Sequence, residues 1–220
     1  MALVTGGGSG IGLMIVQALA INGAKVYITG RSEEKLEKVA ELYGKDIEGS
    51  IIPTTADIGQ KSEISRLVKE IESKEKCLCI LVNNAGISKG THTVSESKNA
   101  EEMKQNMFDK ESNTFEEWTE TYRTNVAGMY FLTTACLPLL QRSTDTHKGY
   151  SGCVINITSI SGLVRVSQHH PAYNASKAAA IHLSNMLGAE IADAGLKIRV
   201  NNIAPGKMMS NIIVLVEHDH

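Results

Sequence analysis

The alternation of short apolar runs with longer amphipathic segments constrains the fold of this chain more than any other feature. Six runs rich in β-branched residues are predicted as strands: Ala2 to Thr5, Lys25 to Thr29, Ser50 to Thr54, Cys79 to Val82, Cys153 to Ile157 and Ile198 to Ile203. Five segments between them have helical periodicity: Ile11 to Asn22, Ser32 to Tyr43, Lys61 to Lys74, Phe115 to Leu140 and Tyr173 to Ala194. Strands that alternate with helices form βαβ units, so the pattern predicts an α/β fold with a parallel sheet between two helical layers.

The length of 220 residues suits a single domain with a substantial core. We expect this domain to occupy residues 1–206 and to be followed by a short, atypical tail over residues 207–220. One stretch inside it, residues 88–113, is rich in Ser, Lys, Glu and Asn and has no sheet pattern. This stretch is predicted as a long polar insertion, which either folds over a substrate pocket or remains a solvated loop.

Composition and charge argue against several classes of partner. Charged residues make up 21% of the chain and the net charge is -2, so there is no electrostatic preference for nucleic acid or an anionic membrane. The longest apolar runs, such as Val126 to Leu140, are shorter than the roughly 20 residues of a membrane span. Met1 to Gly6 has none of the features of a secretory signal. We therefore expect a cytoplasmic protein that binds neither nucleic acid nor membrane.

The four cysteines, Cys77, Cys79, Cys136 and Cys153, lie in apolar segments without the spacing of a disulfide framework or a metal site. The His169-His170 pair and the histidines of His218-Asp219-His220 likewise lack the spacing of metal ligands. Free cysteine behaves as a small buried hydrophobic residue. The prediction is that all four cysteines are structural and that the chain has no metal site.

A glycine-rich turn joins the first predicted strand to the first predicted helix. Gly6, Gly10 and Gly12 follow the spacing G-x-x-x-G-x-G. Ser9 directly precedes Gly10, and Ile11 stands between Gly10 and Gly12. Glycine lets the backbone turn tightly and approach a ligand, and a helix N-terminus attracts phosphate through its N–H groups and its dipole. The turn therefore predicts a pyrophosphate site on a doubly wound sheet of the Rossmann type. For the glycines alone, a plain tight turn is the alternative.

The residues after the second and third predicted strands bear on the choice of dinucleotide. Arg31 stands where an acidic residue would accept hydrogen bonds from the adenine ribose hydroxyls. An arginine is suited to pair with a 2'-phosphate, so it favours NADP(H) over NAD(H); the alternative is an exposed arginine at a helix start. Asp57, with Ile58 beside it, suits an acceptor for the adenine amino group, or else begins the turn into a helix.

The residues suited to chemistry follow the fourth and fifth predicted strands. Asn84 to Gly86 are small or amide residues that can line a cofactor. Tyr173 and Lys177 are i, i+4 neighbours on one helix face. A free tyrosine has a pKa of about 10, and an adjacent ammonium makes it a usable acid or base by stabilising its phenolate. Ser159 is suited to hydrogen-bond a substrate oxygen while a hydride arrives from a nicotinamide.

Together these motifs resemble the short-chain dehydrogenase/reductase family. They occur in family order between residues 2 and 206: Thr5, Gly6, Gly10, Ile11, Gly12, Asp57, Asn83, Asn84, Ala85, Gly86, Asn125, Ser159, Tyr173, Lys177, Pro205 and Gly206. Within the family, the sequence is similar to the 3-oxoacyl-carrier-protein reductase branch, including members named for rhamnolipid biosynthesis. The resemblance implies an NAD(P)(H)-dependent oxidoreductase that interconverts a small-molecule ketone and a secondary alcohol.

The resemblance also implies roles for individual residues. Tyr173 would be the proton donor and acceptor, and Lys177 would lower its pKa and bind the nicotinamide ribose. Ser159 would orient the substrate, and Asn125 would hold a helix distortion and a water in the proton relay. From the residues and the resemblance together, these positions are expected to bind the cofactor: Gly6, Ser9, Gly10, Ile11, Gly12, Arg31, Asp57, Ile58, Asn84, Ala85, Gly86, Tyr173, Lys177, Pro205 and Gly206.

Members of the family pair their subunits through the helices that follow the fourth and fifth strands. Here these are Phe115 to Leu140 and Tyr173 to Ala194, so the resemblance implies a homodimer or homotetramer.

The sequence departs from the family pattern after Gly206. The family continues with a threonine that contacts the cofactor, a helical segment over the substrate and a seventh strand. Ser210 is a candidate to replace the threonine, but Ile212 to Val216 is too short for the missing parts and would form a makeshift strand at most. The C-terminal part of the family fold is therefore expected to be truncated. Two hypotheses remain: an active NADP(H)-dependent ketone reductase, or a truncated dinucleotide-binding protein with little or no turnover.

Overall fold

Six parallel strands form the central sheet. The computed structural model describes residues 1–91 and 96–206, and its strands are β1 (Ala2–Thr5), β2 (Lys25–Gly30), β3 (Ser50–Thr55), β4 (Ile80–Asn83), β5 (Gly152–Ile157) and β6 (Ile198–Ile203). They follow the order β3-β2-β1-β4-β5-β6. Because β1 pairs with β2 on one side and β4 on the other, the strand order reverses beside β1. In sheets of this kind, a ligand crevice opens at that reversal, beyond the carboxyl ends of the strands.

Helices cover both faces of the sheet. Their bounds are α1 (Gly10–Ile21), α2 (Glu33–Tyr43), α3 (Lys61–Lys74), α4 (Ala100–Met107), α5 (Phe115–Tyr122), α6 (Met129–Thr146) and α7 (Pro171–Asp193). Successive residues of a strand point to opposite faces. Accordingly, Leu3 of β1 packs in a core with α3, α6 and α7, whereas Val4 packs in a second core with α1 and α2. The predicted three-layer, doubly wound α/β fold is confirmed.

The segment 115–140, predicted as one helix, is divided in the structure. A π-helical turn at Arg123–Gly128 separates α5 from α6, and α6 continues to Thr146. The last turns of α6 are polar, and the Thr146 hydroxyl donates to the Arg142 carbonyl at 2.6 Å. Apolar periodicity detects neither an inserted residue in a helical turn nor a polar helix end. It therefore predicted neither the π-helical turn nor the extension of α6 to Thr146.

The polar stretch 88–113 contains a helix that the sequence reading missed. Asn99 caps the N-terminus of α4 by accepting from the Glu102 N–H at 2.9 Å, and the Glu102 carboxylate accepts from the Lys98 N–H at 2.9 Å. This reciprocal pattern is close to a capping box, which stabilises a helix without an apolar stripe. None of the residues of α4 is buried, so periodicity carried no signal.

A buried chain of polar side chains joins the sheet to the helices on one face. The Asn83 side-chain amide donates to Thr133 Oγ1 at 2.9 Å and to Asn156 Oδ1 at 2.8 Å. Asn156 donates to Ser184 Oγ at 2.8 Å, and Ser184 donates to the Ala180 carbonyl at 2.8 Å. Buried polar groups in such networks fix geometry because each lost partner costs about 1–3 kcal/mol. The chain therefore sets α7 relative to β4, β5 and α6.

Within the two described ranges, no helix is long and apolar enough to cross a bilayer. The predictions made for residues 207–220, namely the short tail, the contact from Ser210 and a makeshift strand at Ile212 to Val216, lie outside the described residues.

Candidate active site

A cleft of about 260 Å³ opens at the carboxyl ends of β1, β2 and β4. Its lining includes Gly6 and Ser9 from the glycine turn, which joins β1 to α1. Gly10 has a φ of +55°, and a Cβ there would meet nothing within 4 Å, so this part of the turn is open to a ligand. At Gly12, a Cβ would lie 2.2 Å from the Gly6 carbonyl oxygen, which only glycine avoids. The turn is thus both closely packed and open on its outer side.

The N-terminus of α1 faces this cleft. Ser9 is its N-cap residue, and the Ser9 side chain makes no capping hydrogen bond. The first N–H groups of a helix have no partner within the helix, and they carry its positive dipole end. These are the features of an anion site, and they fit a pyrophosphate group.

Hydrogen bonds between β1 and β4 hold the floor of the cleft. Thr5 Oγ1 accepts from the backbone N–H groups of Asn84 at 3.0 Å and Ala85 at 2.9 Å. The Asn84 side chain donates in turn to the carbonyls of Thr5 at 3.0 Å and Gly6 at 3.2 Å. The glycine turn is therefore fastened to the end of β4. The sequence pattern predicted that Asn84 lines a cofactor, but it assigned no separate role to Thr5.

Arg31 and Asp57 line the far end of the same cleft. Arg31 is exposed and follows β2, so its guanidinium is accessible to a bound group. Asp57 Oδ1 accepts from the Gly59 N–H at 2.9 Å, and Gln60 donates to Asp57 Oδ2 at 3.3 Å. The carboxylate of Asp57 thus shapes the turn into α3 and also faces the cleft, so both sequence interpretations of Asp57 remain open.

A second cleft, of about 290 Å³, holds the residues suited to chemistry. Ser159, Tyr173 and Lys177 line it, together with Pro205 and Gly206. Ser159 is 8% exposed, and its hydroxyl oxygen accepts from the Ser161 N–H at 3.1 Å. Three of the four predicted catalytic residues therefore face one space.

Lys177 is a buried cation beneath Tyr173. Lys177 is 5% exposed, and its Nζ lies 5.6 Å from the centre of the Tyr173 ring. Nζ donates to the Ile157 carbonyl at 2.9 Å, which anchors it to the end of β5. Burial lowers the pKa of Lys177 to about 8, because desolvation disfavours the ammonium form.

Asn125 lies behind the second cleft and lines neither of the two. It is 3% exposed and belongs to the π-helical turn between α5 and α6. Its amide exchanges two hydrogen bonds with the backbone of Ile87, at 2.8 and 2.9 Å. It also donates to Ser176 Oγ at 3.0 Å, and Ser176 donates to the Tyr173 carbonyl at 2.7 Å. Asn125 thus joins the segment after β4 to the helix turn that carries Tyr173.

The two clefts adjoin and form one groove. Asn84, Gly86 and Ile87 line both of them. A Cβ at Gly86 would lie 3.2 Å from Asn125 Oδ1 and 3.4 Å from Lys177 Nζ, so a side chain here would need these two groups to shift by a few tenths of an ångström. The groove runs from Arg31 past the glycine turn to Tyr173, and its donors fit a dinucleotide with the pyrophosphate at α1.

Several residues of this site had no specific signal in the sequence. Ser176 and Ile87 act through hydrogen bonds between distant segments, which spacing does not reveal. His170 stands just before α7, and its Nδ1 lies 2.9 Å from the Gly90 carbonyl and 3.3 Å from Ser88 Oγ. For His170, the sequence offered one indication of a place near the site, namely its position three residues before Tyr173.

Comparison with known proteins gives consistent relatives. A family model described as short chain dehydrogenase matches residues 1–219. The short-chain dehydrogenase/reductase PhomF' of Diaporthe leptostromiformis is 40% identical over 210 residues, which cover 94% of this chain and 69% of that protein. The rhamnolipids biosynthesis 3-oxoacyl-(acyl-carrier-protein) reductase of Pseudomonas aeruginosa is 34% identical over 219 residues, covering 100% of this chain and 77% of that protein.

Among solved structures, the RhlG/NADP active-site complex of Pseudomonas aeruginosa superposes on this chain with a TM-score of 0.79 and 33% sequence identity. The match covers 99% of this chain and 76% of that one. The similarity therefore extends through the sheet and both parts of the groove.

Proposed function

This chain belongs to the short-chain dehydrogenase family, and from that premise we propose that it interconverts a ketone and a secondary alcohol, with Tyr173 as the acid and base. The family acts on small molecules and uses a nicotinamide dinucleotide, and the glycine turn is a fitting place for one. The observation that carries the proposal is the placement of Tyr173, Lys177 and Ser159 around one cleft that adjoins the turn. We propose 3-oxoacyl thioesters as the first substrate class to test, because one relative is named as a 3-oxoacyl reductase.

The cofactor would be held along the groove and would supply or accept the hydride at the substrate carbon. The N–H groups of α1 would bind its pyrophosphate, and Lys177 would hydrogen-bond the nicotinamide ribose. In reduction, Tyr173 gives its phenolic proton to the carbonyl oxygen as the carbon receives the hydride. The ammonium of Lys177 stabilises the resulting phenolate by charge, and solvent returns the proton.

The remaining residues act by positioning. Ser159 donates a hydrogen bond to the substrate oxygen and keeps it within reach of Tyr173. Asn125 fixes the segment after β4 against α7 and would hold a water on the route of the returning proton. The hydrogen bonds of Asn125 to Ile87 and Ser176 support this role, since both partners adjoin the cleft.

The test is a single substitution, Tyr173→Phe, which keeps the ring over Lys177 and removes only the hydroxyl. We expect NADPH oxidation with a panel of ketones and 3-oxoacyl thioesters to fall by about 10²–10⁴-fold, the usual contribution of a general acid. Tyr43→Phe on α2 is the matched control and should keep the wild-type rate. Equal rates near zero in wild type and Tyr173→Phe, with tight cofactor binding in both, would instead support the alternative of a dinucleotide-binding protein with little turnover.

For the cofactor, we propose a preference for NADP(H) over NAD(H) through Arg31. The exposed guanidinium at the groove supports it, and so does the NADP found in the structurally similar RhlG complex. Arg31→Asp should weaken NADPH binding at least about tenfold, or roughly 1.4 kcal/mol, and should improve NADH binding relative to it. Dissociation constants from fluorescence titration measure this, with Arg199→Asp as the control. An unchanged preference would show that Arg31 is not the selector.

We further propose that the chain forms a homodimer, or a tetramer built from dimers, through α5, α6 and α7. An apolar groove of about 780 Å³ lies there, and its lining includes Trp118, Val126, Phe131 and Leu183. Phe131 remains 37% exposed in the single chain. A second copy of the same surface would cover these side chains by twofold symmetry.

A further inference from the structure

A cluster of soft ligand atoms lies at the amino ends of the strands, opposite the groove at their carboxyl ends. Cys77 and Cys79 precede β4, and His147 follows the last residue of α6. One ligand atom of each side chain lies within 4.8 Å of the others. Among the residues that the structure describes, this is the set of cysteine, histidine and carboxylate side chains close enough to share a metal ion.

Backbone packing brings the three residues together. Cys77 and Cys79 flank the fully buried Leu78, so their side chains leave the chain on the same side. The Leu78 N–H donates to the Leu139 carbonyl of α6 at 3.0 Å, which fixes this segment against the helix that His147 follows. The two thiols are only partly buried, and His147 is exposed, so an ion can enter from solvent.

The imidazole of His147 is held with one nitrogen available. Its Nδ1 lies 3.0 Å from the Ser143 carbonyl, which can only accept, so this contact favours the tautomer with the proton on Nδ1 and a lone pair on Nε2. Metal-binding histidines commonly use this arrangement, because the hydrogen bond fixes the tautomer and orients the ring. The ring also packs edge-on against Tyr150 at 6.2 Å, and the Tyr150 hydroxyl donates to the Cys79 carbonyl at 3.0 Å. Tyr150 thus ties the histidine to the cysteine segment.

In contrast to the expectation from sequence spacing, we propose that Cys77, Cys79 and His147 form a binding site for a soft divalent cation of the Zn²⁺ class. Two thiolates and one imidazole are a ligand set that zinc prefers, and a water completes the tetrahedron. On binding, each thiol releases its proton to solvent and forms a sulfur–metal bond, with no change of oxidation state.

The site acts on the fold rather than on hydride transfer. It lies at the amino end of β4, whereas Asn84 and the groove follow its carboxyl end, about 13 Å away at 3.3 Å per residue. A bound ion would connect the segment before β4 to the turn between α6 and β5. Metal should therefore raise the melting temperature without being needed for cofactor binding.

The experiment uses the tag-free chain, reduced and stripped with a chelator, and then given one equivalent of ZnCl₂ or CoCl₂. We expect one zinc per chain after gel filtration, a higher melting temperature, and with cobalt a thiolate charge-transfer band and tetrahedral d–d bands. Cys77→Ser, Cys79→Ser and His147→Asn should each lose affinity by about 100-fold or more, since each removes a ligand. His182→Asn, an exposed histidine on α7, and Cys136→Ala should bind like wild type.

Two results would overturn the proposal. One is a reduced wild-type chain that retains no zinc and gives no cobalt charge-transfer band. The other is unchanged zinc binding in all three ligand variants, which would place the ion at other residues. Dinucleotide affinity serves as the folding check, because the groove is remote from the cluster and every correctly folded variant should keep it.

Discussion

At the scale of single residues, Lys177 illustrates the tension between stability and function. A lysine whose pKa falls from 10.5 to about 8 on folding resists burial of its charge. At 1.36 kcal/mol per pKa unit this costs roughly 3 kcal/mol of folding free energy near neutral pH. The hydrogen bond to the Ile157 carbonyl offsets about 1 kcal/mol of it. Under the proposed function, this cost is offset by the need for a cation beneath Tyr173.

This balance predicts that Lys177→Met stabilises the cofactor-free protein while abolishing turnover. At pH 7 we expect the unfolding free energy to increase by about 2 kcal/mol, since the charge cost disappears and one hydrogen bond is lost. Urea titration followed by circular dichroism measures the change. A variant less stable than wild type at pH 7 would contradict the burial argument.

The same substitution has a pH signature. Between about pH 8 and 10.5 the unfolded wild type still holds the Lys177 proton that the folded state has released, so Lys177 adds stability as pH rises. The advantage of Lys177→Met should therefore shrink across that window and vanish near its upper end. Burial raises the pKa of Tyr27 and Cys136, and these shifts lower the stability of the fold as the pH rises. Both proteins share this effect, so the difference in unfolding free energy between wild type and Lys177→Met is the quantity to follow.

The residue types in the sequence predicted much of the lining of the groove, but not the hydrogen bonds that hold this lining in place. Glycine at Gly12 is dictated by local sterics, and Tyr173 and Lys177 meet through helical spacing, so a single sequence reveals them. Asn125 contacts Ile87, 38 residues away, and Ser176, 51 residues away. Contacts of that kind depend on how segments pack, and no local pattern encodes them. For Asn125 the family resemblance supplied what spacing did not.

At the scale of secondary structure elements, apolar periodicity found the strands and helices that face the core. It missed α4 because that helix is stabilised by the capping pair Asn99 and Glu102 and buries no side chain. It also missed the π-helical turn at Arg123–Gly128, whose added residue leaves the apolar pattern nearly unchanged.

The insertion at residues 88–113 is attached next to the chemical centre. His170 contacts the Gly90 carbonyl, and Lys110 donates to the Thr91 carbonyl at 2.6 Å. Replacing residues 98–111 with a short Gly-Ser linker should raise the substrate KM about tenfold, as about 1.4 kcal/mol of binding is lost. The melting temperature and the cofactor dissociation constant should stay the same, because α4 has no buried residue and does not line the cleft at the glycine turn. An unchanged KM would reduce the insertion to a solvated loop.

At the scale of the whole molecule, the two ends of the parallel strands carry different groups of side chains. The carboxyl ends of the strands gather the groove, and the amino ends gather the cysteine and histidine cluster. Alternation of strands and helices predicts that the strands are parallel. It does not predict which strands are neighbours in the sheet, so the strand order could not be derived from that pattern. The reversal beside β1 is a tertiary outcome of the two crossover directions.

The apolar groove on α5, α6 and α7 predicts a dimer that one charge can break. Phe131→Lys would place a second cation beside Lys61, whose Nζ already lies 5.1 Å from the Phe131 ring centre. Light scattering after gel filtration should show the mass of a dimer or tetramer for wild type and of a monomer for Phe131→Lys. Leu42→Lys, at a 58% exposed position on α2, is the control and should leave the mass unchanged. A wild type that is monomeric at micromolar concentration would refute the pairing.

The bond between Thr5 and the backbone of Asn84 spans 79 residues. The glycine turn is synthesised before the strand that completes its floor, because 79 residues separate Thr5 from Asn84. At about 5–20 residues per second, a ribosome needs roughly 4–16 s to cover that distance. During that interval the turn has no β4 to fasten it, so a newborn chain can acquire affinity for its dinucleotide only after β4 has emerged.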